Sequence, residues 1–171
     1  MTDPSPWVLR FAPCIRKDST VLDLACGSGR HARLFLMNGH YITALDKNTE
    51  NLADIKDFPG VEVIKTDLED GSPFPLAGRK FGGVIVTNYL HRPLLPLLSD
   101  LLEPEGILIY ETFMQGNEKF GRPNNPDFLL RSQELLESFR NDLIIKAYEE
   151  EVLSSPKPAV VQRICAVMPQ T

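Results

Sequence analysis

Short apolar runs that suit strands alternate along this chain with stretches whose apolar residues recur every third or fourth position. The first run, VLDLAC at residues 21–26, ends in glycine. Beyond Gly29, Ala32, Leu34, Phe35 and Leu36 give a helix an apolar side, and Asn38-Gly39 stops it. Residues 41–45 predict a second strand, ending in Asp46. A short helix with Leu52, Ala53 and Ile55 follows, N-capped by Asn48 and closed by Pro59-Gly60. Residues 61–64 predict a third strand, which ends at Asp67. After the turn-like residues 69–80 come a fourth strand at 81–87 (FGGVIVT), an apolar helix at 94–102 stopped by Pro104, and a fifth strand at 106–113 (GILIYETF).

The polar segment 114–131, MQGNEKFGRPNNPDFLLR, is long for a connection and reads as a lid or binding loop. A helix at 132–139 and strands at 143–148 and 159–168 complete the chain, the last two linked through Ser154-Ser155-Pro156. Residues 1–18 read as an irregular or weakly helical segment, in which Trp7 could fold back as a lid over a cofactor. The alternation predicts an α/β fold: a doubly wound, mostly parallel seven-stranded sheet with helices on both faces and an antiparallel C-terminal hairpin at one edge. Residues 1–171 read as one domain.

Composition narrows the class. The chain of 171 residues is 43% hydrophobic, enough for a core, and no apolar run approaches the roughly 20 residues of a membrane helix. The N-terminus does not read as a signal peptide. A net charge of −5 disfavours nucleic acid as a partner. Cys14, Cys26 and Cys165 form no CxxC pair, so no metal site and no disulfide framework is expected. A cytoplasmic protein without a membrane partner, a monomer or weak homodimer, is the simplest expectation.

In such a sheet, ligands sit beyond the carboxyl ends of the strands. Those ends carry Cys26-Gly27-Ser28-Gly29, Asp46, Asp67-Leu68, Asn88-Tyr89 and Thr112-Phe113. Ala25 and Ala32 could stand in for missing glycines of a dinucleotide turn, so the glycines alone leave a nicotinamide cofactor open. Asp23, four residues before Gly27, belongs to another pattern. Asp23-x-x-x-Gly27-x-Gly29 resembles motif I of the class I S-adenosylmethionine-dependent methyltransferases. VLDLACGSGRHA as a whole, Asp46, TDLED with Asp67, and LLEPEGILIYETF carry the likeness from about Val21 to Phe113, and it continues in order through the hairpin. By size and the GRHA continuation the chain looks like the small tellurite-resistance and thiopurine-methyltransferase-like members.

The resemblance implies a donor, S-adenosyl-L-methionine, leaving as S-adenosyl-L-homocysteine, and roles for particular residues. The backbone of Gly27 and Gly29, with Ala25 where many relatives have glycine, would lie along the methionine part, with Asp23 near its amino group. Asp46, beside Lys47, would take the ribose hydroxyls. Asp67 would meet the adenine amino group, Leu68 would pack on the ring, and Asn88 would approach the sulfonium. Other roles stay open: Asp46 as a turn acid, Asp67 as a partner of Lys65 or Arg79, Arg30 as a partner of the donor carboxylate or of a protein acid, and His31 as a surface or packing residue.

On the acceptor side, His91 and Tyr89 are the catalytic candidates, and Trp7, Tyr89, Arg92, Phe113 and Arg122 the substrate-binding ones. His91 could equally be a packing residue, and Trp7 an anchor at the edge of the core. Methyl transfer from a sulfonium needs alignment and exclusion of water more than a strong base. The expected function is transfer of that methyl to a small-molecule acceptor. The alternatives are an RNA or protein methyltransferase and a non-catalytic S-adenosylmethionine-binding protein.

Overall fold

The apolar positions of each strand divide between two cores. In a computed structural model that describes residues 2–170, Leu22 and Leu24 of β1 (Thr20–Leu24) enter one core, and Val21 enters the other. This is the two-residue alternation of extended chain buried on both faces. The remaining strands are β2 (Tyr41–Asp46), β3 (Val61–Lys65), β4 (Phe81–Thr87), β5 (Leu102–Phe113), β6 (Ile144–Leu153) and β7 (Ala159–Val167). They form a seven-stranded sheet in the order β3-β2-β1-β4-β5-β7-β6. Only β7 runs against its neighbours, so the C-terminal hairpin lies at an edge with β6 outermost.

One face is covered by α1 (Pro6–Phe11) and α2 (Arg30–Met37), which bring Trp7, Val8, Ala32 and Phe35 into its core. The other face is covered by α3 (Leu95–Leu98) and α4 (Glu134–Phe139), with Leu95, Leu98, Leu135 and Phe139. The sheet is therefore doubly covered, but with less helix than the sequence pattern predicts. The expected helix at 94–102 is a single α turn between two 3-10 turns. Pro93 and Pro96 keep their positions by lying in first turns, where a missing N–H is tolerated. The expected helix after Asn48 shrinks to the 3-10 turn Glu50–Leu52, and the Asn48 side chain accepts from the Glu50 amide at 3.1 Å. β6 continues past Tyr148 because Glu149, Glu150 and Glu151 find partners in Arg163, Ser132 and the Gln133 amide. No helix among the described residues is long and apolar enough to cross a membrane.

Candidate active site

β1 ends in a turn that places unusual backbone beside the ends of β2 and β4. Ala25, Gly27 and Gly29 all have positive φ, at 53°, 54° and 72°. Glycine adopts this region freely and alanine only at a cost. The turn is tied to its neighbour twice. Cys26 N–H donates to Leu45 O at 3.0 Å, and Gly27 N–H donates to Asp46 Oδ2 at 2.8 Å. Arg33 braces it from below, donating to Ser28 O, to Asn51 O and to the carboxylate of Asp54. Nothing in the sequence singled out Arg33.

The two glycines are not equivalent. A Cβ on Gly29 would stand 2.3 Å from Leu52 Cδ2 and 2.8 Å from Arg33 Nη1, and one on Gly27 would meet nothing within 4 Å. Gly29→Ala is therefore expected to cost about 2–4 kcal/mol, adding overpacking to backbone strain. Gly27→Ala carries only the backbone strain, about 1–2 kcal/mol. Urea unfolding of both variants checks the order; equal losses would contradict it.

Asp23 sits on β1 beneath the turn, 2% exposed, and its Oδ2 accepts from the Ala32 amide in the first turn of α2 at 2.9 Å. A carboxylate there suits the open N–H groups of a helix start. Burial raises its pKa to about 7, against the lowering effect of that hydrogen bond and of Arg30. Asp46 serves as a turn acid as well, because its Oδ1 accepts from the Asn48 amide at 2.9 Å. A carboxylate has about four acceptor positions, so room for a diol remains. Asp67 Oδ1 accepts from the Glu69 amide at 3.0 Å. The rival ion pair is not formed, since Arg79 pairs with Glu62 at 2.7 Å.

Asp46 and Asp67 border a cleft of about 310 Å³, lined also by Ala25, Leu45, Lys47, Thr66, Leu68, Glu69, Asn88 and Tyr89, whereas Asp23, Gly27, Gly29 and Arg30 do not line it. Its charged lining is three acids against one lysine. Asn88 takes φ 54°, a conformation asparagine tolerates, and its amide donates to Glu111 O at 2.9 Å. Thr66 and Glu69 were missed in the sequence, although both lie within the quoted TDLED.

The acceptor-side candidates are placed less favourably. The cleft takes no lining from His91, Arg92, Phe113, Arg122 or Trp7. Trp7 is not a lid: it is 2% exposed in the core, with Nε1 donating to Ile164 O at 3.2 Å. Arg92 is occupied in holding the loop, with Nε and Nη2 on the Glu134 carboxylate at 2.7 and 3.0 Å and further bonds to Asp127 O and Leu129 O. Burial works to raise the Glu134 pKa, but Arg92 and the Arg131 amide overcome it and hold the carboxyl below its ordinary range. Burial and the neighbouring Glu69 carboxylate push the Tyr89 phenol well up, so it is not a base near neutral pH. Arg122 is exposed.

The segment 114–131 is a loop pinned along its base. Leu130 N–H donates to Phe113 O at 3.0 Å, and buried Asn117 bridges Pro123 O and the Val160 amide. Leu129 and Leu130 are buried, whereas Phe120 and Phe128 stay about half exposed at the tip. Arg30, expected at the donor carboxylate or an acid, donates through Nη1 to Asp3 O at 2.9 Å. His31, read as a surface or packing residue, is 1% exposed with both ring nitrogens facing polar atoms.

The chain superposes on TehB from Haemophilus influenzae with a TM-score of 0.79 at 18% identity, covering 98% of this chain and 63% of that one. It matches the Burkholderia thailandensis 1,6-didemethyltoxoflavin-N1-methyltransferase, a structure holding S-adenosylhomocysteine, with a TM-score of 0.71 at 18% identity, covering 96% and 77%. The chain has the fold of the S-adenosylmethionine-dependent methyltransferases. Residues 8–72, from α1 to the loop after β3, also match the family model described as tellurite resistance protein TehB. That stretch holds the glycine turn and both strand-end acids. The fold also serves other reactions: the [4+2]-cyclase SpnF superposes with a TM-score of 0.71 at 16% identity, covering 96% and 79%. A search of curated proteins gives no significant match.

Proposed function

We propose that this chain is a methyltransferase that uses S-adenosyl-L-methionine and passes the methyl group to a small-molecule acceptor. One observation carries the reading: Asp46 and Asp67, at the ends of adjacent strands, line one cleft with Ala25 of the turn after β1, and Asp46 is bonded to Gly27 of that turn. A pyrophosphate would meet acids there, whereas a ribose diol and an adenine amino group meet acceptors. The open space over Gly27 leaves room for the donor's amino-acid part. Asp23, Gly27, Gly29 and Arg30 would hold that part, Asp46 and Lys47 the ribose, and Asp67 and Leu68 the adenine. Asn88 would stand toward the methyl group. The donor, when bound, supplies an already activated methyl; the protein's part is alignment and exclusion of water. The acidic cleft disfavours a nucleic-acid acceptor.

The test is formation of S-adenosylhomocysteine from labelled donor across a panel of thiol, amine, hydroxyl and chalcogen oxyanion acceptors. Turnover with at least one supports the reading. Donor binding without turnover supports the second reading, a binding protein or an enzyme of another reaction. That reading is favoured by the lining, to which Tyr89 alone of the acceptor-side candidates contributes.

Asp23 provides a pH signature. Its carboxyl is half protonated near pH 7, and a bound ammonium group favours the ionised form. Binding should therefore release a proton. Affinity for S-adenosylhomocysteine should rise with pH by up to about tenfold per unit below pH 7 and level off above it. Calorimetry in buffers of different ionisation enthalpy reads the proton directly. Asp23→Asn should remove the dependence; affinity that falls as pH rises would contradict the placement of Asp23.

A further inference from the structure

α1 begins just after a group of polar side chains that core packing does not require. Ser5, His31, Glu111 and Arg163 are each less than 9% exposed, and they come from the N-terminal segment, α2, β5 and β7. Ser5 is the junction. Its amide donates to His31 Nε2 at 3.0 Å, and its hydroxyl donates to Glu111 Oε1 at 2.8 Å while accepting from the Trp7 amide at 3.1 Å. Since Nε2 accepts, the neutral ring carries its proton on Nδ1, which faces Thr87 Oγ1 at 3.4 Å. Burial, with Arg30 beside it, lowers the His31 pKa to about 3, so the ring stays neutral. Arg163 Nε lies 2.6 Å from Glu111 Oε2, out of line for a hydrogen bond.

Part of this network lies next to the turn after β1 and to Asn88, which lines the donor cleft. His31 is in the first turn after the glycine turn. Thr87 precedes Asn88, and Glu111 accepts the Asn88 amide through its own carbonyl. Asp3, two residues before Ser5, receives the Arg30 guanidinium. Burying this many polar groups is no cheaper than an apolar contact and is often worse. What the arrangement supplies is position: it fixes the N-terminal segment against the start of α2 and the ends of β4 and β5 together.

We infer that Ser5 and His31 are positioning residues that pin residues 3–5 as a wall at the methionine end of the donor cleft, so that the segment sets donor affinity. This rests on the donor reading above. The wall acts through Arg30, whose guanidinium donates to Asp3 O, two residues before Ser5.

The test compares S-adenosylhomocysteine affinity with thermal stability in the full chain. Ser5→Ala and His31→Phe should each raise the Kd by about tenfold. The double variant should be little worse than either single one, because the two changes release the same segment. Ser5→Thr, which keeps the hydroxyl, should restore affinity. Phe139→Leu, in the core on the opposite face, should lower Tm with Kd unchanged. If Ser5→Ala and His31→Phe lower Tm and leave Kd at the wild-type value, the network is structural and the inference fails alone. If the wild-type protein does not bind S-adenosylhomocysteine, the donor reading fails and takes this inference with it.

Discussion

Arg163→Met destabilises the protein by about 3–5 kcal/mol, the cost of leaving a buried charge without its partner. The side chains of Arg163 and Glu111 are 10% and 9% exposed, and Glu111 keeps only the Ser5 hydroxyl once the guanidinium is gone. Arg163 also donates to Glu149 and Glu151 and stands 5.6 Å from the centre of the Trp7 ring. Those contacts are partly solvated and add less. Glu111→Gln in the Arg163→Met background should recover part of the loss, because a neutral amide still accepts from Ser5 and leaves no bare charge. Urea unfolding of the two single variants and the double variant measures the coupling. A double variant as unstable as the sum of the singles would show that the ion pair is not what holds β5, β7 and α1 together.

The second large effect is on binding. Asp46→Ala should weaken S-adenosylhomocysteine binding by about 1–3 kcal/mol, roughly fivefold to 150-fold, through the lost charged acceptor. Asp46 also holds the Gly27 amide, so part of the loss comes from a loosened turn. Asp46→Asn separates the two contributions. The amide oxygen can still accept from Gly27, whereas one charge and one ribose acceptor are removed. An intermediate affinity is expected for Asn. Wild-type affinity in both variants, measured by calorimetry, would contradict the ribose assignment.

The residues of the proposed donor site stand out in the sequence because they lie close together or at strand ends. Asp23, Gly27 and Gly29 lie within seven residues, and Asp46 and Asp67 each close an obvious apolar run. β1, β4 and the second half of β5 are buried almost without interruption, as strands covered on both faces are, so each stood out in the sequence as an unbroken apolar run. The helices were less legible. Leu94 to Leu102 is apolar throughout, which fits a helix as well as the broken turns that two prolines impose. The surroundings of Arg92 and Trp7 were hidden in the sequence for a different reason. Arg92 looks like a free cation in sequence, and only the fold brings Glu134 to it from 42 residues away. Trp7 looks like a lid until Ile164 supplies its partner. Glu111 did leave a signal, a lone charge inside GILIYETF, but its partners lie at residues 5 and 163 and no local pattern joins them.

The account stands on where S-adenosylhomocysteine binds, and backbone amide NMR of the wild-type chain during a titration reads this residue by residue. The predicted result is saturable shifts centred on Gly27, Gly29, Lys47, Leu68 and Asn88. The amides around the hollow at the other end of the sheet, by Cys14, Gly82 and Lys146, should stay in place. No saturable change, or shifts confined to that far hollow, would contradict the account.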